Sequence, residues 1–261
     1  MQEWQKRLYN AYVSSNQGGH DASIGYSVRG PHINSFISRH IPADRKIKIL
    51  DVGCGAGDMI YWLKQANYKN ISGFDISPEM IDLAHSRGIP EAYLSDINQA
   101  LSNTQSNSLD VVICFDIFEH LSKCELFHIS DEIFRILKPN GTIFIHTPNA
   151  SGIFGDSIRY GDITHEISFT ATSMRQLLRT IGFEKVSSFE DKPIPHGLKS
   201  TIRAIIWAVG TLGFRLLYAA ETGKFNYIAS QNFLTSATKP AQSLSSQFEA
   251  QTDLTAPSKP H

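Results

Sequence analysis

Short runs of consecutive apolar residues alternate along the chain with stretches in which apolar residues recur every three or four positions. The first pattern predicts strands buried on both faces, the second amphipathic helices. Ile47–Val52 (IKILDV) predicts a strand that ends in Gly53-Cys54-Gly55-Ala56-Gly57. Asp58–Gln65 follows as a helix, with Met59, Trp62 and Leu63 at helical spacing. Asn70–Asp75 predicts a second strand, and Pro78–His85 a helix with Ser77 as N-cap and Pro78 at its first position. Ala92–Ser95 is a short strand and Asp110–Phe115 (DVVICF) a central one. Glu125–Leu137 predicts a helix stopped by Pro139 and Asn140-Gly141, with a strand over Thr142–His146 beyond it. A helix over Ser173–Ile181 ends at Gly182, Phe183–Phe189 forms a strand, and Phe225–Leu234 the last one.

Strands alternating with helices imply βαβ units and a doubly wound, mostly parallel α/β sheet. Such sheets bind ligands at the carboxyl ends of their strands. Residues 1–46 read as an N-terminal helical cap on the acceptor side, and 47–238 as the main domain with a helical insertion near 191–224. Residues 239–261 are rich in Ser, Gln, Thr, Ala and Pro and read as a disordered tail. Within the insertion, Leu198–Ala220 is apolar nearly all round, interrupted by Arg203 and Arg215. The plain expectation is a buried helical cap. The sharper one is an interfacial helix, giving peripheral membrane contact through 198–220. The longest apolar stretch, Ala204–Phe214, is too short for the ~20 residues that span a bilayer.

With 41% hydrophobic and 19% charged residues the chain can build a core, and its net charge of −1 argues against a broad electrostatic grip on nucleic acid. The widely spaced Cys54, Cys114 and Cys124 do not form a disulfide framework, and the N-terminal residues do not read as a signal peptide. The expected location is the cytoplasm, with the inner face of the membrane as the peripheral alternative.

The strongest chemical signal is the glycine turn. Glycine at three alternate positions between a buried strand and a helix lets a ligand lie against bare backbone. Asp75 ends the second strand, where an acid can accept the two hydroxyls of an adenosine ribose. Asp96 follows the third strand, and Phe115-Asp116-Ile117-Phe118-Glu119-His120-Leu121 the fourth. This order of motifs resembles the class I S-adenosylmethionine (SAM)-dependent methyltransferases over residues 47 to about 147. The resemblance implies a seven-stranded Rossmann-like sheet with an antiparallel last strand. It implies that Gly53, Gly55 and Gly57 line the methionine part of SAM and that Asp51 helps hold its amino group. Asp75, with Ile76 beside it, would bind the ribose; Asp96 and Ile97 would frame the adenine; Phe115 and Asp116 would lie beneath the methyl-donor end. A nicotinamide dehydrogenase of the short-chain kind is the rival, but none of the nine tyrosines has a Lys four residues on.

The second half resembles a narrower set. His146-Thr147-Pro148-Asn149, Arg159–Glu166 (RYGDITHE), Phe169-Thr170, the N-terminal LYNAYVSS and Ala220-Glu221-Thr222-Gly223 resemble small-molecule methyltransferases of bacterial polysaccharide gene clusters. That likeness implies an acceptor hydroxyl on a glycan or its lipid-linked precursor. A more distant likeness is to quinone-biosynthesis O-methyltransferases, and a SAM-binding partner protein without activity is a third reading. A general base would add about 10²–10⁴-fold to transfer onto a protonated hydroxyl. His165, in the loop GDITHE, is the first choice, with Asp162 or Glu166 to orient it; His120 follows, and His146 reads as structural. Asp116, Glu119 and His120 match an acid-x-x-Glu-His group that holds Mg²⁺ in the quinone enzymes; the preferred reading here is metal-free.

Overall fold

The computed structural model describes residues 3–11, 14, 26 and 28–241. The strands are β1 (Lys48–Val52), β2 (Asn70–Asp75), β3 (Ala92–Leu94), β4 (Leu109–Phe115), β5 (Leu137–Pro148), β6 (Glu184–Glu190) and β7 (Asn232–Thr238). They form one sheet in the order β3-β2-β1-β4-β5-β7-β6. The first five pair in parallel, and β7 runs antiparallel between β5 and β6. The order reverses between β1 and β4, which opens a crevice at their carboxyl ends.

The helices are α1 (Glu3–Asn10), α2 (Gly30–His40), α3 (Asp58–Gln65), α4 (Pro78–Ser86), α5 (Ile97–Ser102), α6 (Lys123–Ile136), α7 (Gly155–Arg159), α8 (Ala171–Ile181), α9 (Leu198–Gly210) and α10 (Leu212–Thr222). Consecutive strand residues feed opposite faces, which is why the strands read as continuous apolar runs. Leu50, Val112, Cys114 and Ile145 pack toward α6 and α8, while Ile49, Val111, Ile113 and Phe144 pack toward α2 and α3. Ser77 caps α4 as expected, and Gly182 ends α8 at φ 112°.

Four expectations need correction. β5 does not wait for Gly141: Leu137 already pairs with Leu109, and Lys138 is held by Asp110 at 2.8 Å. β7 starts at Asn232 because side chains claim the preceding backbone. The Arg215 guanidinium donates to the Tyr227 carbonyl, the Asn149 amide donates to the carbonyls of Ile228 and Ser230, and Glu190 accepts the Ala229 N–H. The tail does not begin at Lys239. That residue is buried, and its ammonium donates to Asn107 Oδ1 and the carbonyls of Phe134 and Leu137. The rest of the expected tail, 242–261, lies outside the described residues. Finally, 198–220 is not a buried cap: α9 buries only Ser200 and α10 buries nothing.

Candidate active site

A cavity of about 540 Å³ opens at the carboxyl ends of the strands, and Tyr9 of α1, His32 of α2 and Arg29 just before α2 contribute to its wall. At its floor lies the glycine turn. Gly55 has φ 51°, and a Cβ placed there would meet no atom within 4 Å. Bare backbone therefore faces the space a ligand would take. Gly53, at φ 69°, leaves room for the Ile117 side chain. Gly57 departs from expectation: it does not line the cavity. It starts α3 at φ 82°, where a Cβ would press Ile89 at 3.0 Å.

Six acids reach this wall, and four of them, Asp51, Asp75, Asp96 and Asp116, stand at the expected strand-end positions. The Asp75 carboxylate accepts N–H bonds from Gly55 at 2.9 Å and Ser77 at 2.8 Å, tying β2 to the turn. Burial raises its pKa, and these bonds pull it back. Asp51 is buried, and burial first, then Asp75, raises its pKa to about 8. A cationic ligand group beside it would offset that desolvation. Asp96 begins α5 and accepts the Asn98 N–H at 2.9 Å. With Ile76, Ile97 and Phe115 on the same wall, the lining suits an adenosine joined to a cationic amino acid. All of the expected cofactor residues except Gly57 meet here.

Asp116 has φ 57°, rare for a residue with a side chain. Its Oδ1 lies 2.6 Å from His146 Nδ1, and His146 Nε2 lies 3.2 Å from Asp191 Oδ2. Asp191 Oδ1 then meets His32 Nδ1 at 3.3 Å, and Arg29 reaches Asp116 at 3.5 Å. Burial alone would lower the His146 pKa, but the two carboxylates outweigh it and raise it to about 10. Burial would raise Asp116, yet His146 and then Arg29 hold it down at about 2. A histidinium clamped by two aspartates does not accept a proton, so His146 organises the site rather than acting as its base.

His120 has the opposite character. It lines the cavity, and burial, then His165, lowers its pKa to about 4. Thr164 Oγ1 donates to Asp162 Oδ1 at 2.6 Å and lies 2.8 Å from His120 Nδ1. Because the Thr164 proton is committed to the carboxylate, the imidazole Nδ1–H is the donor to Thr164, and Nε2 carries the lone pair. Asp162 thus orients His120, not His165 as expected. His165 is absent from the cavity wall; its Nδ1–H donates to the Arg159 carbonyl at 3.0 Å, and its ring lies 4.7 Å from that of His120.

Glu119, His120 and His165 present ligand atoms within 4.8 Å of one another, as do His32, His146 and Asp191. The Asp116–Glu119 pair of the alternative Mg²⁺ reading is not assembled in that first group, because Asp116 turns to His146. Burial, then Asp116, raises Glu119 well above the carboxylate range, and its Oε2 accepts from Thr147 Oγ1 at 3.1 Å.

Sheet order, glycine turn and acid-lined crevice define a Rossmann-like, adenosine-binding α/β protein of the methyltransferase kind. The family described as a methyltransferase domain matches residues 29–188, and the chain belongs to it. A ubiquinone biosynthesis O-methyltransferase of Methylococcus capsulatus is 33% identical over 120 residues, 44% of this chain and 49% of that protein. One from Rickettsia canadensis is 30% identical over 147 residues, 52% of this chain and 60% of the other. O-methyltransferase 3 of Dictyostelium discoideum is 22% identical over 189 residues, covering 64% and 43%. The chain thus spans about half the length of the curated relatives it matches. A SAM-dependent methyltransferase from Archaeoglobus fulgidus shares the fold, with a TM-score of 0.62 at 20% identity over 87% of this chain and 99% of that one. A Haemonchus contortus phosphoethanolamine N-methyltransferase 2 in complex with SAM aligns at TM-score 0.56 and 17% identity, over 80% and 52%. SAM is the cofactor of this family, and the lining described above fits it.

Proposed function

We propose that the chain transfers a methyl group from SAM to a hydroxyl oxygen of a small phenolic or quinol-type acceptor. Bound in the cavity, SAM supplies an electrophilic methyl on a sulfonium. The observation that carries the proposal is the His120–Thr164–Asp162 relay on the wall of the SAM cavity. His120 stays neutral at pH 7, so its lone pair can take the hydroxyl proton while Asp162 offsets the charge that develops on the ring. Asp51 holds the amino group of the cofactor's methionine part and Asp75 its ribose, and the His146 clamp fixes Asp116 and Arg29.

The depressed basicity of His120 selects among acceptors. A weak base suits a phenol, whose pKa near ~10 makes it far more acidic than a sugar hydroxyl. The quinone-biosynthesis relatives favour the same choice over the glycan acceptor expected from the second-half motifs. The test is methyl transfer from labelled SAM to catechol-type quinone precursors and, in parallel, to sugar acceptors. Product with the phenols that falls about 10²-fold in His120→Ala, at unchanged SAM affinity, supports the proposal. Product with sugars alone restores the glycan reading. SAM binding without product in either set makes the chain a non-catalytic partner.

A further inference from the structure

Ten large apolar side chains between Leu198 and Phe225 are 47–84% exposed, Ile206, Val209 and Leu217 among them. All but Phe225 belong to α9 and α10, which meet at Thr211 and together run from Leu198 to Thr222. An apolar surface of this extent on a water-facing helix marks a contact site. The stretch is long and apolar enough, by length and composition, to cross a membrane, which removes the limit set by the shorter run Ala204–Phe214. Its attachment argues against crossing. Arg215 in α10 is paired with Glu190 of β6 at 2.6 and 2.8 Å, and Thr211 and Ser200 are buried against the domain. An arm fastened at its start and middle lies along the surface.

The charges around the arm select its partner. Between 192 and 225, Lys192, Lys199, Arg203 and Lys224 are exposed, against the one exposed acid Glu221, in a chain whose net charge is −1. An apolar strip with a cationic rim complements a bilayer interface bearing anionic headgroups. A two-fold contact with a second copy would set this rim against itself.

The arm also adjoins the site. A cavity of about 410 Å³ is walled by Ser200, Arg203 and Trp207 of α9 together with Asp191 and His32, and His32 lines the SAM cavity too. The Trp207 indole N–H is buried and has no acceptor among the described residues. We propose that α9 and α10 dock the protein on an anionic membrane surface, and that this second cavity receives an amphiphilic acceptor from the lipid. The acceptor half rests on the methyl-transfer reading above; the docking half does not.

The experiment is flotation of the full chain with phosphatidylglycerol-containing and with pure phosphatidylcholine vesicles, for the native protein and for Ile206→Asp/Leu217→Asp. The expected result is flotation with the anionic vesicles that falls at least 10-fold in the variant, while SAM affinity and melting temperature hold. No flotation of the native protein overturns docking, as does a dimer in solution that the variant splits without any vesicle binding. Methyl transfer completes the test. A long-chain phenol in vesicles is expected to lose turnover in the variant while a water-soluble phenol keeps it; equal loss or equal retention overturns delivery from the lipid. Failure of both phenols with the native protein would remove the methyl-transfer reading and leave flotation to decide docking.

Discussion

His120 and Asp162 do not touch: Thr164 stands between them, 2.8 Å from the imidazole and 2.6 Å from the carboxylate. The threonine hydroxyl therefore sets the tautomer of the histidine that lines the SAM cavity.

Thr164→Val removes that hydroxyl at nearly constant volume. Turnover is expected to drop about 10-fold or more, since unpaired groups at a buried site cost ~1–3 kcal/mol. SAM affinity, read by calorimetry, should stay within about twofold. Thr164→Ser should recover most of the turnover; a valine variant with native turnover would remove the relay from the mechanism.

Two glycines of one turn should fail in different ways. Gly55→Ala places a methyl group in the open space of the cavity, so SAM affinity is expected to fall at least 10-fold. Gly57→Ala presses Ile89 at 3.0 Å and strains α3, so it is expected to cost ~1–3 kcal/mol, with a melting temperature several degrees lower. Paired calorimetry and thermal unfolding check this; the same profile in both variants would contradict the separation.

Asp51 makes a prediction about protons. Its pKa is raised from 3.8 to about 8 by burial, so between those values the folded chain holds a proton that the unfolded chain has lost. Its contribution therefore lowers stability as pH rises from about 4 to about 8 and changes little above that. Asp51→Asn should flatten this slope in ligand-free protein. SAM binding near pH 7 should release a proton, measured as a buffer-dependent binding enthalpy, and the variant should not show it.

The His146 clamp makes a prediction of the opposite kind. The imidazole pKa rises from 6.5 to about 10, so its stabilisation is complete below about 6.5 and is lost as pH climbs through about 10. His146→Gln is expected to cost ~2–3 kcal/mol at pH 7 in urea unfolding, below the figure for a fully buried pair because Asp116 is 40% exposed. That penalty should shrink above pH 10; a pH-independent penalty would mean that the histidine is neutral.

Much of this was legible in the sequence, for identifiable reasons. α3 and β2 fall at the expected residues because a glycine turn and a strand-end acid punctuate them. The cofactor wall was legible because its residues cluster within a few positions of four strand ends. Arg29, His32, Tyr9 and Asp191 were not, since only the fold brings α1, α2 and the chain beyond β6 to two adjoining cavities that share His32. The Gly30-Pro31 helix start was the sole local signal, and it places His32 in a first turn without naming Asp191. Orientation was also beyond reach: spacing offered Asp162 to His165, whereas Thr164 directs it to His120. The exposed apolar arm could not be told from a buried one, because an all-round apolar helix looks the same in sequence whichever neighbour covers it.

The position of β7 has a consequence for synthesis. Among the described residues the last strand to leave the ribosome, β7, is an inner one, flanked by β5 and β6. Until residues 232–238 emerge, both neighbours carry open edges, and β6 has no place in the sheet. A nascent chain can assemble the parallel half, cofactor crevice included, long before it can close the other, so a premature stop upstream of Asn232 would yield a product with bare strand edges, prone to self-association.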